Sequence, residues 1–171
     1  MNDRLNSAAD EALKLENQLC FLLYTASRKM TSSYRPLLSQ LNLTYPQYLV
    51  MLVLWEYFSS EDGQQKKQGI KVGALSEKVQ LDNGTLTPLL KRLELQGLVT
   101  RSRDVEDERV VRIGLTDEGV ALKLRAKAVP ETLLCNSGLS VEQFSEIYTE
   151  LKNVLNKGLG LGEGGQDDHA S

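Results

Sequence analysis

Two cysteines, Cys20 and Cys135, carry the most reactive side chains of this 171-residue sequence. A thiolate attacks peroxides and can pass through a sulfenic acid to a disulfide. Two cysteines and one histidine, His169, cannot complete a zinc-type ligand set, and the sequence has no glycine-rich phosphate loop. We therefore predict no metal and no cofactor, and thiol chemistry remains. The alternative is that Cys20 is a small buried apolar side chain in a helix interface, the usual role of a free cysteine.

The helix predicted around Cys20 decides which phenols can reach its thiol. Apolar residues recur at helical spacing and predict an amphipathic helix over about residues 11–33. Tyr24 follows Cys20 by one turn and lies about 40° around the helix axis. Tyr34 is fourteen residues from Cys20, roughly 21 Å along a straight helix, so the two cannot touch within one helix. They can meet only across a dimer interface or where the chain turns back.

A basic block interrupts an otherwise acidic chain. The formal net charge is -3, yet residues 66–112 hold ten basic and seven acidic residues, a balance of +3. The remaining ten basic and sixteen acidic residues give -6. Such a block fits a local DNA-binding surface. The longest apolar run, residues 49–55, is far shorter than the roughly 20 residues of a membrane span, so we expect a cytoplasmic protein with no membrane partner and reduced thiols.

Two short helices and a hairpin are predicted within this block. The first helix covers about residues 72–79, and the second begins near Asp82 or Asn83 and ends at Gly97. Its leucines at 86, 89, 90 and 93 have helical spacing. Alternating residues 99–103 and 111–115 predict a hairpin with an acidic tip at residues 104–108. In this order the elements make a winged helix-turn-helix, whose alternative is a solvated basic face on a small helical domain.

The remaining segments are predicted to be mostly helical. Pro36 opens a short segment at 37–41, and a helix over about 47–58 should turn Leu49, Leu52 and Val53 inward, with Trp55 as a further candidate. Thr116 should cap a helix that ends or bends at Pro130. Ser140 should cap the last helix, to about residue 157. Residues 59–69 should form a polar loop, and residues 158–171 a disordered tail.

Several stretches resemble MarR-family repressors, specifically the organic hydroperoxide repressors. The recognition stretch at residues 81–94 reads LDNGTLTPLLKRLE, and residues 43–48, 107–109 and 115–119 also match, within a resemblance that covers about residues 12–155. Two features depart from the pattern: Asn83 replaces the usual serine, and the loop 59–69 is several residues longer. The resemblance implies a mainly α fold with a small β-hairpin wing, flanked by N- and C-terminal dimerisation helices.

The resemblance also implies roles for the thiols and phenols. Cys20 matches the sensing cysteine, Tyr34 and Tyr45 match tyrosines that hydrogen-bond it from the other subunit, and Tyr24 matches a nearby phenol on its own helix. Phenol donors stabilise a thiolate, which attacks the peroxide. Cys135 matches a second thiol that resolves the sulfenic acid as an intersubunit disulfide, Cys20–Cys135′. If Cys135 is a bystander, a small thiol would cap Cys20 instead.

We thus expect a homodimeric, peroxide-sensing repressor and not an enzyme. Organic hydroperoxide would be the oxidant signal, and duplex DNA carrying a palindromic operator the partner. Predicted regions are 1–45 for dimerisation and sensing, 46–115 for DNA binding, 116–157 for dimerisation and 158–171 as tail. The expected DNA-binding residues are Asn83, Thr85, Thr87, Lys91, Arg92, Arg101, Arg103 and Arg109. The alternatives are a repressor that responds to a small aromatic ligand, a thiol peroxidase using Cys20, and a dimeric scaffold that has lost DNA binding.

Overall fold

The computed structural model describes residues 10–59 and 69–157. A short 3-10 turn at Leu15–Asn17 precedes the first long helix. The elements are α1 (Leu19–Ser39), α2 (Tyr45–Ser59), β1 (Ile70–Lys71), α3 (Val72–Val79), α4 (Asn83–Leu95), β2 (Val99–Arg103), β3 (Val111–Leu115), α5 (Asp117–Ala126), α6 (Ala128–Ser137) and α7 (Val141–Asn156). Most of the predicted loop 59–69 and the whole predicted tail 158–171 lie outside the described residues.

A small antiparallel sheet completes the helix-turn-helix, as the predicted fold class requires. Helices α3 and α4 are followed by the β2–β3 hairpin, in which Val99 pairs with Leu115 and Arg103 with Val111. The two-residue strand β1, which the sequence did not predict, pairs with β3 through Ile70 and Ile113 and gives the order β1-β3-β2. The prediction of a mainly α protein with a β-hairpin wing is confirmed.

Helix α1 begins later and ends later than predicted. Gln18 has extended backbone angles, φ -88 and ψ 111, and separates the 3-10 turn from Leu19. The helix then continues through Pro36 to Ser39, so the short segment predicted after Pro36 is wrong. A proline inside a helix loses one backbone hydrogen bond. Burial of Leu38, 1% exposed in the core just beyond the proline, offsets that loss.

The buried face of α2 also differs from the prediction. Leu52 is exposed and Leu49 and Val53 are only partly buried, whereas Tyr48, Met51 and Leu54 are buried. Trp55, the further candidate, is buried as predicted. Helix α2 is apolar on nearly every side, so the spacing of its apolar residues does not select one face. Contacts with α1, α3 and α4 make that selection.

The chain divides into two compact units, Met1–Val129 and Pro130–Ser171. The core described above belongs to the first unit. Helix α5 already ends at Ala126, and Pro130 lies in the first turn of α6, where a missing N–H costs little. The predicted stop at Pro130 is therefore displaced by four residues. In the second unit, Ser140 and Gln143 form a capping box at the start of α7. In the described residues no helix is long and apolar enough to cross a membrane.

Candidate DNA interface and thiol site

Helix α4 presents a polar face that begins at its N-cap. The Asp82 carboxylate accepts hydrogen bonds from the Thr85 amide at 2.9 Å and from the Thr85 hydroxyl at 2.7 Å. The Thr85 side chain, then its amide, holds the pKa of Asp82 below its usual value. Leu86, Leu90 and Leu93 are buried on the opposite face. The first turn is thus held rigidly by its own side chains, which is suitable for a helix that reads a groove.

The predicted DNA-binding residues of α4 differ in solvent exposure and in hydrogen bonding. Asn83, Lys91 and Arg92 are exposed. Thr87 is half-buried, and its hydroxyl donates to the carbonyl oxygen of Asn83 at 2.7 Å. Because a hydroxyl keeps lone pairs when it donates, Thr85 and Thr87 remain able to accept a hydrogen bond.

The arginines of the hairpin fall into two environments. Arg101 is partly buried, forms an ion pair with Glu94 at 3.5 Å, and has a buried Nε atom without a hydrogen-bond partner. Arg109 is exposed at the hairpin tip, and Arg103 donates from Nη1 to the Glu108 carbonyl at 2.5 Å. The hairpin therefore offers one arginine packed against α4 and two near its tip.

A cleft of about 330 Å³ between α4 and the hairpin brings four predicted residues together. They are Asn83, Thr87, Arg101 and Arg109. Thr85, Lys91, Arg92 and Arg103 do not line this cleft. Two guanidinium groups beside a hydroxyl and an amide make a surface that suits phosphate oxygens.

Cys20 and its neighbouring phenol, Tyr24, lie on the exposed surface of α1. Cys20 is exposed as the second residue of the helix, and Tyr24 is also exposed one turn later. The Tyr24 hydroxyl accepts from Arg28 at 3.1 Å, and the Arg28 guanidinium lies 5.5 Å from the Tyr24 ring centre. Cys135 is likewise exposed and lies within α6.

Tyr34 and Tyr45 form an aromatic cluster further along. Their ring centres are 4.9 Å apart, and Tyr34 lies 5.9 Å from Tyr48. Burial, followed by the neighbouring Tyr45 and Tyr48, raises the pKa of Tyr34 above its usual 10.0. Since Tyr34 and Cys20 share the continuous helix α1, they are separated by roughly 21 Å. The structure thus brings Tyr34 and Tyr45 together, and places Cys20 and Tyr24 elsewhere on the same helix.

Two features of the site escaped the sequence analysis. Trp55 donates from Nε1 to the Gly119 carbonyl at 2.8 Å, which joins the aromatic cluster to α5. Asp104, assigned to the polar tip, is buried and paired with Arg112. The first contact joins residues 64 positions apart, and the second joins the two strands of the hairpin. The spacing of residues within one helix or strand therefore gives no signal for either contact.

A second cavity, of about 480 Å³, lies beside the aromatic cluster. Its polar lining includes Arg28, Arg35, Thr31, Thr44 and Tyr45. Two arginines with several hydroxyl groups form a setting that favours an anionic group. Among residues 10–59 and 69–157, no group of three or more His, Cys, Asp or Glu side chains is close enough to hold a metal ion.

Known proteins share both the sequence and the fold. A family model described as "Transcriptional regulator SarA/Rot" matches residues 32–125. The organic hydroperoxide resistance transcriptional regulator of Bacillus subtilis is 49% identical over 84% of this chain and 90% of its own length. The structure of reduced AbfR bound to DNA is 34% identical, with a TM-score of 0.64 over 88% of this chain and 98% of that one. Disulfide-formed AbfR, also 34% identical over 88% and 98% of the two chains, has a TM-score of 0.55.

These relatives confirm the resemblance that the recognition stretch indicated. The Bacillus subtilis relative and the matching family model are named as transcriptional regulators, and AbfR is described as bound to DNA, which confirms the prediction of a regulator and not an enzyme. Because the identity extends over most of both chains, it covers the helix-turn-helix, the hairpin and the flanking helices together. The chain belongs to the MarR family of winged-helix transcriptional regulators, in the group of the organic hydroperoxide resistance regulators.

Proposed function

We propose that this protein is a cytoplasmic, homodimeric repressor that binds a palindromic operator when reduced and leaves it when organic hydroperoxide oxidises Cys20. One observation carries the proposal: the ring centres of Tyr34 and Tyr45 are 4.9 Å apart, and Tyr34 lies roughly 21 Å along α1 from the exposed Cys20. These two phenols and the thiol can then form one site only between two subunits. Dimerisation is therefore a requirement of the sensor.

DNA binding in this proposal uses α4 and the wing, the β2–β3 hairpin. Asn83, Thr85, Thr87 and Lys91 would face base edges and phosphates of the major groove, with Arg92 at its rim. Arg109, exposed at the wing tip, would enter the flanking minor groove, and Arg101 and Arg103 would support it. The description of AbfR as bound to DNA supports this use of the shared fold.

The thiol chemistry proceeds in two steps, oxidation of Cys20 and formation of the disulfide. The Cys20 thiolate attacks the outer peroxide oxygen, the O–O bond breaks, and the products are Cys20 sulfenic acid and an alcohol, with the alkoxide taking a proton. The Cys135 thiolate of the partner subunit then attacks the sulfenic sulfur, the S–S bond forms, the S–O bond breaks, and the leaving hydroxide takes a proton to become water. Both thiols are exposed, and relatives of this fold include a disulfide-formed regulator.

Release of DNA follows if the disulfide stabilises a different arrangement of the two subunits. Two recognition helices reach successive major-groove segments only at one separation. An intersubunit bond shifts this equilibrium by its differential stability in the two arrangements.

A gel shift on the protein's own upstream DNA tests the switch. Reduced wild type and Cys20→Ser should both bind, and an organic hydroperoxide should release only the wild type. Release of both proteins by oxidant would show that Cys20 is not the sensor. Hydrogen peroxide, used in parallel, compares the two oxidants.

Non-reducing electrophoresis after peroxide treatment tests the resolving thiol. Wild type should give a covalent dimer that is missing in Cys135→Ser. A band that stays monomeric in the wild type would contradict the Cys20–Cys135′ pairing and leave Cys135 as a bystander thiol.

The cavity beside the aromatic cluster favours a second candidate function. Arg28 and Arg35 there suit the carboxylate or phenolate of a small aromatic ligand, with Cys20 incidental. Release of Cys20→Ser protein from the operator by a non-oxidising aromatic acid would support this candidate. No release at saturating concentration, with the peroxide response intact in wild type, would exclude it.

A further inference from the structure

Asp104 is a nearly buried carboxylate at the base of the wing tip, here residues 104–110. Its side chain is 6% exposed, although it lies on a hairpin that otherwise faces solvent. Oδ1 accepts from the backbone amides of Glu106 at 2.9 Å and Asp107 at 3.2 Å. Oδ2 accepts from Nε of Arg112 on β3. Burying a carboxylate costs free energy unless hydrogen bonds and an opposite charge compensate for the lost water, and these three donors supply that compensation.

Arg112 connects this carboxylate to the start of β1. Its Nη1 donates to the Gly69 carbonyl at 2.9 Å. Gly69 has φ +82, and a Cβ there would lie 2.5 Å from the Ile113 carbonyl oxygen, so the backbone approaches β3 closely. The Gly69 carbonyl also accepts from the Tyr57 hydroxyl of α2 at 3.5 Å. We call Asp104, Arg112 and the Gly69 carbonyl the wing clamp.

Other contacts shape the wing tip internally. Asp107 Oδ1 accepts from the Arg109 amide at 3.0 Å, and the Asp107 carbonyl accepts from the Val110 amide at 2.9 Å. The backbone bond from Asp104 to Val110, 2.9 Å, closes the turn. These bonds hold Arg109 relative to the tip, whereas the wing clamp holds the tip relative to the sheet.

We infer that Asp104 and Arg112 are positioning residues for operator binding, because the wing clamp sets the direction in which the tip presents Arg109 to DNA. The inference rests on the proposed function. The inference predicts that neutralising Asp104 changes operator affinity in the direction opposite to the one that charge repulsion alone would give. Neutralising an acid near DNA ordinarily strengthens binding, since phosphate repulsion falls. Neutralising Asp104 weakens it, because the tip loses its fixed direction.

The experiment compares Asp104→Asn with Glu106→Gln in the full-length, reduced protein. Both changes remove one negative charge from the same tip, but the Glu106 side chain is exposed and outside the clamp. Operator affinity is measured on a long duplex with flanking base pairs and on a short duplex without them. We expect Asp104→Asn to bind the long duplex about fivefold more weakly than wild type, as for the net loss of one ordinary hydrogen bond. Its affinity for the short duplex should be unchanged, and Glu106→Gln should bind both at least as tightly as wild type.

Two further measurements separate positioning from a general loss of structure. Arg112→Lys keeps the charge but loses the planar fork that serves Asp104 and Gly69 together, so it should reproduce the loss on the long duplex. Hydrogen exchange in the free protein should be faster at the Glu106 and Asp107 amides of Asp104→Asn, and unchanged in α4.

The outcomes are distinct. If Asp104→Asn matches Glu106→Gln in affinity and exchange, the clamp has no positioning role. An equal loss on both duplexes would indicate general destabilisation and would also overturn the inference. If the reduced wild type binds neither duplex, the proposed function fails, and the positioning role in operator binding fails with it.

Discussion

At the scale of single residues, the phenol of Tyr34 holds its proton more tightly than a free tyrosine does. It is half-buried, lies 4.9 Å from the Tyr45 ring, and has a pKa raised first by burial and then by Tyr45 and Tyr48. A phenol whose pKa is raised above the usual value stays protonated at neutral pH. It can therefore donate to a thiolate without competing for the negative charge.

The raised pKa has a consequence for stability at alkaline pH. The folded state holds the Tyr34 proton more tightly than the unfolded state, so this contribution is complete below about pH 10 and is lost as pH rises through the folded pKa. We expect Tyr34→Phe to lose less stability than wild type between pH 9 and 11 (roughly one unit on either side of the usual tyrosine pKa). Urea unfolding across that range measures this. Tyr24→Phe removes an exposed phenol from the same helix and controls for general effects of the substitution.

Parallel pH profiles for wild type and Tyr34→Phe would contradict the assignment. Tyr48, whose pKa is also raised by burial and by Tyr45, would contribute in the same direction, so the double variant Tyr34→Phe/Tyr48→Phe should flatten the profile further.

At the scale of elements, local signals predicted some parts of the fold and not others. Helix α4 was predictable because its N-cap Asp82, its leucine spacing and its terminal Gly97, with φ +72, all lie within sixteen residues. Strand β1 was not, because two residues form a strand only through pairing with Ile113 and Arg112, over forty residues away.

The candidate site divides in the same way. Motif and residue type single out Cys20, Tyr34 and the wing arginines as candidates, and their roles stay predictions. The burial of Asp104 was not predicted, because it depends on Arg112 from the facing strand and on Gly69 beyond it.

The packing of α5 against the residue just before β2 gives a prediction at this scale. A Cβ on Gly119 would lie 2.1 Å from the Leu98 carbonyl oxygen, which is backbone and cannot rotate away. Gly119→Ala should therefore destabilise the protein by about 2–3 kcal/mol in urea unfolding, as overpacking does. Gly73→Ala is the matched control, because nothing lies within 4 Å of a Cβ there and alanine favours its helix. Equal stability of Gly119→Ala and wild type would contradict the close packing of α5 on Leu98.

At the scale of the whole molecule, each of the two units exposes apolar side chains among the described residues. Helix α7 contains no buried residue, although its apolar side chains recur at helical spacing. Those exposed are Val141, Phe144, Ile147, Tyr148, Leu151, Val154 and Leu155. The first half of α1 also exposes Leu19, Phe21 and Leu22. Apolar surfaces of this extent mark interfaces, and the proposed sensor requires a second subunit for an independent reason.

Two substitutions in α7 test whether this helix contributes to the dimer interface. Ile147→Lys places a charge in the apolar stripe of α7, and we expect it to weaken the dimer more than about tenfold, as loss of an interface anchor does. Glu146→Lys introduces the same side chain at the adjacent exposed acidic position and should remain dimeric. Size-exclusion chromatography with light scattering measures the mass of each variant in solution, and a gel shift measures its operator affinity. Because two half-sites must be read together, the monomeric variant should lose operator affinity while the control keeps it. A dimeric Ile147→Lys would place the subunit interface elsewhere, and a monomeric wild type that still binds the operator would contradict the shared thiol site.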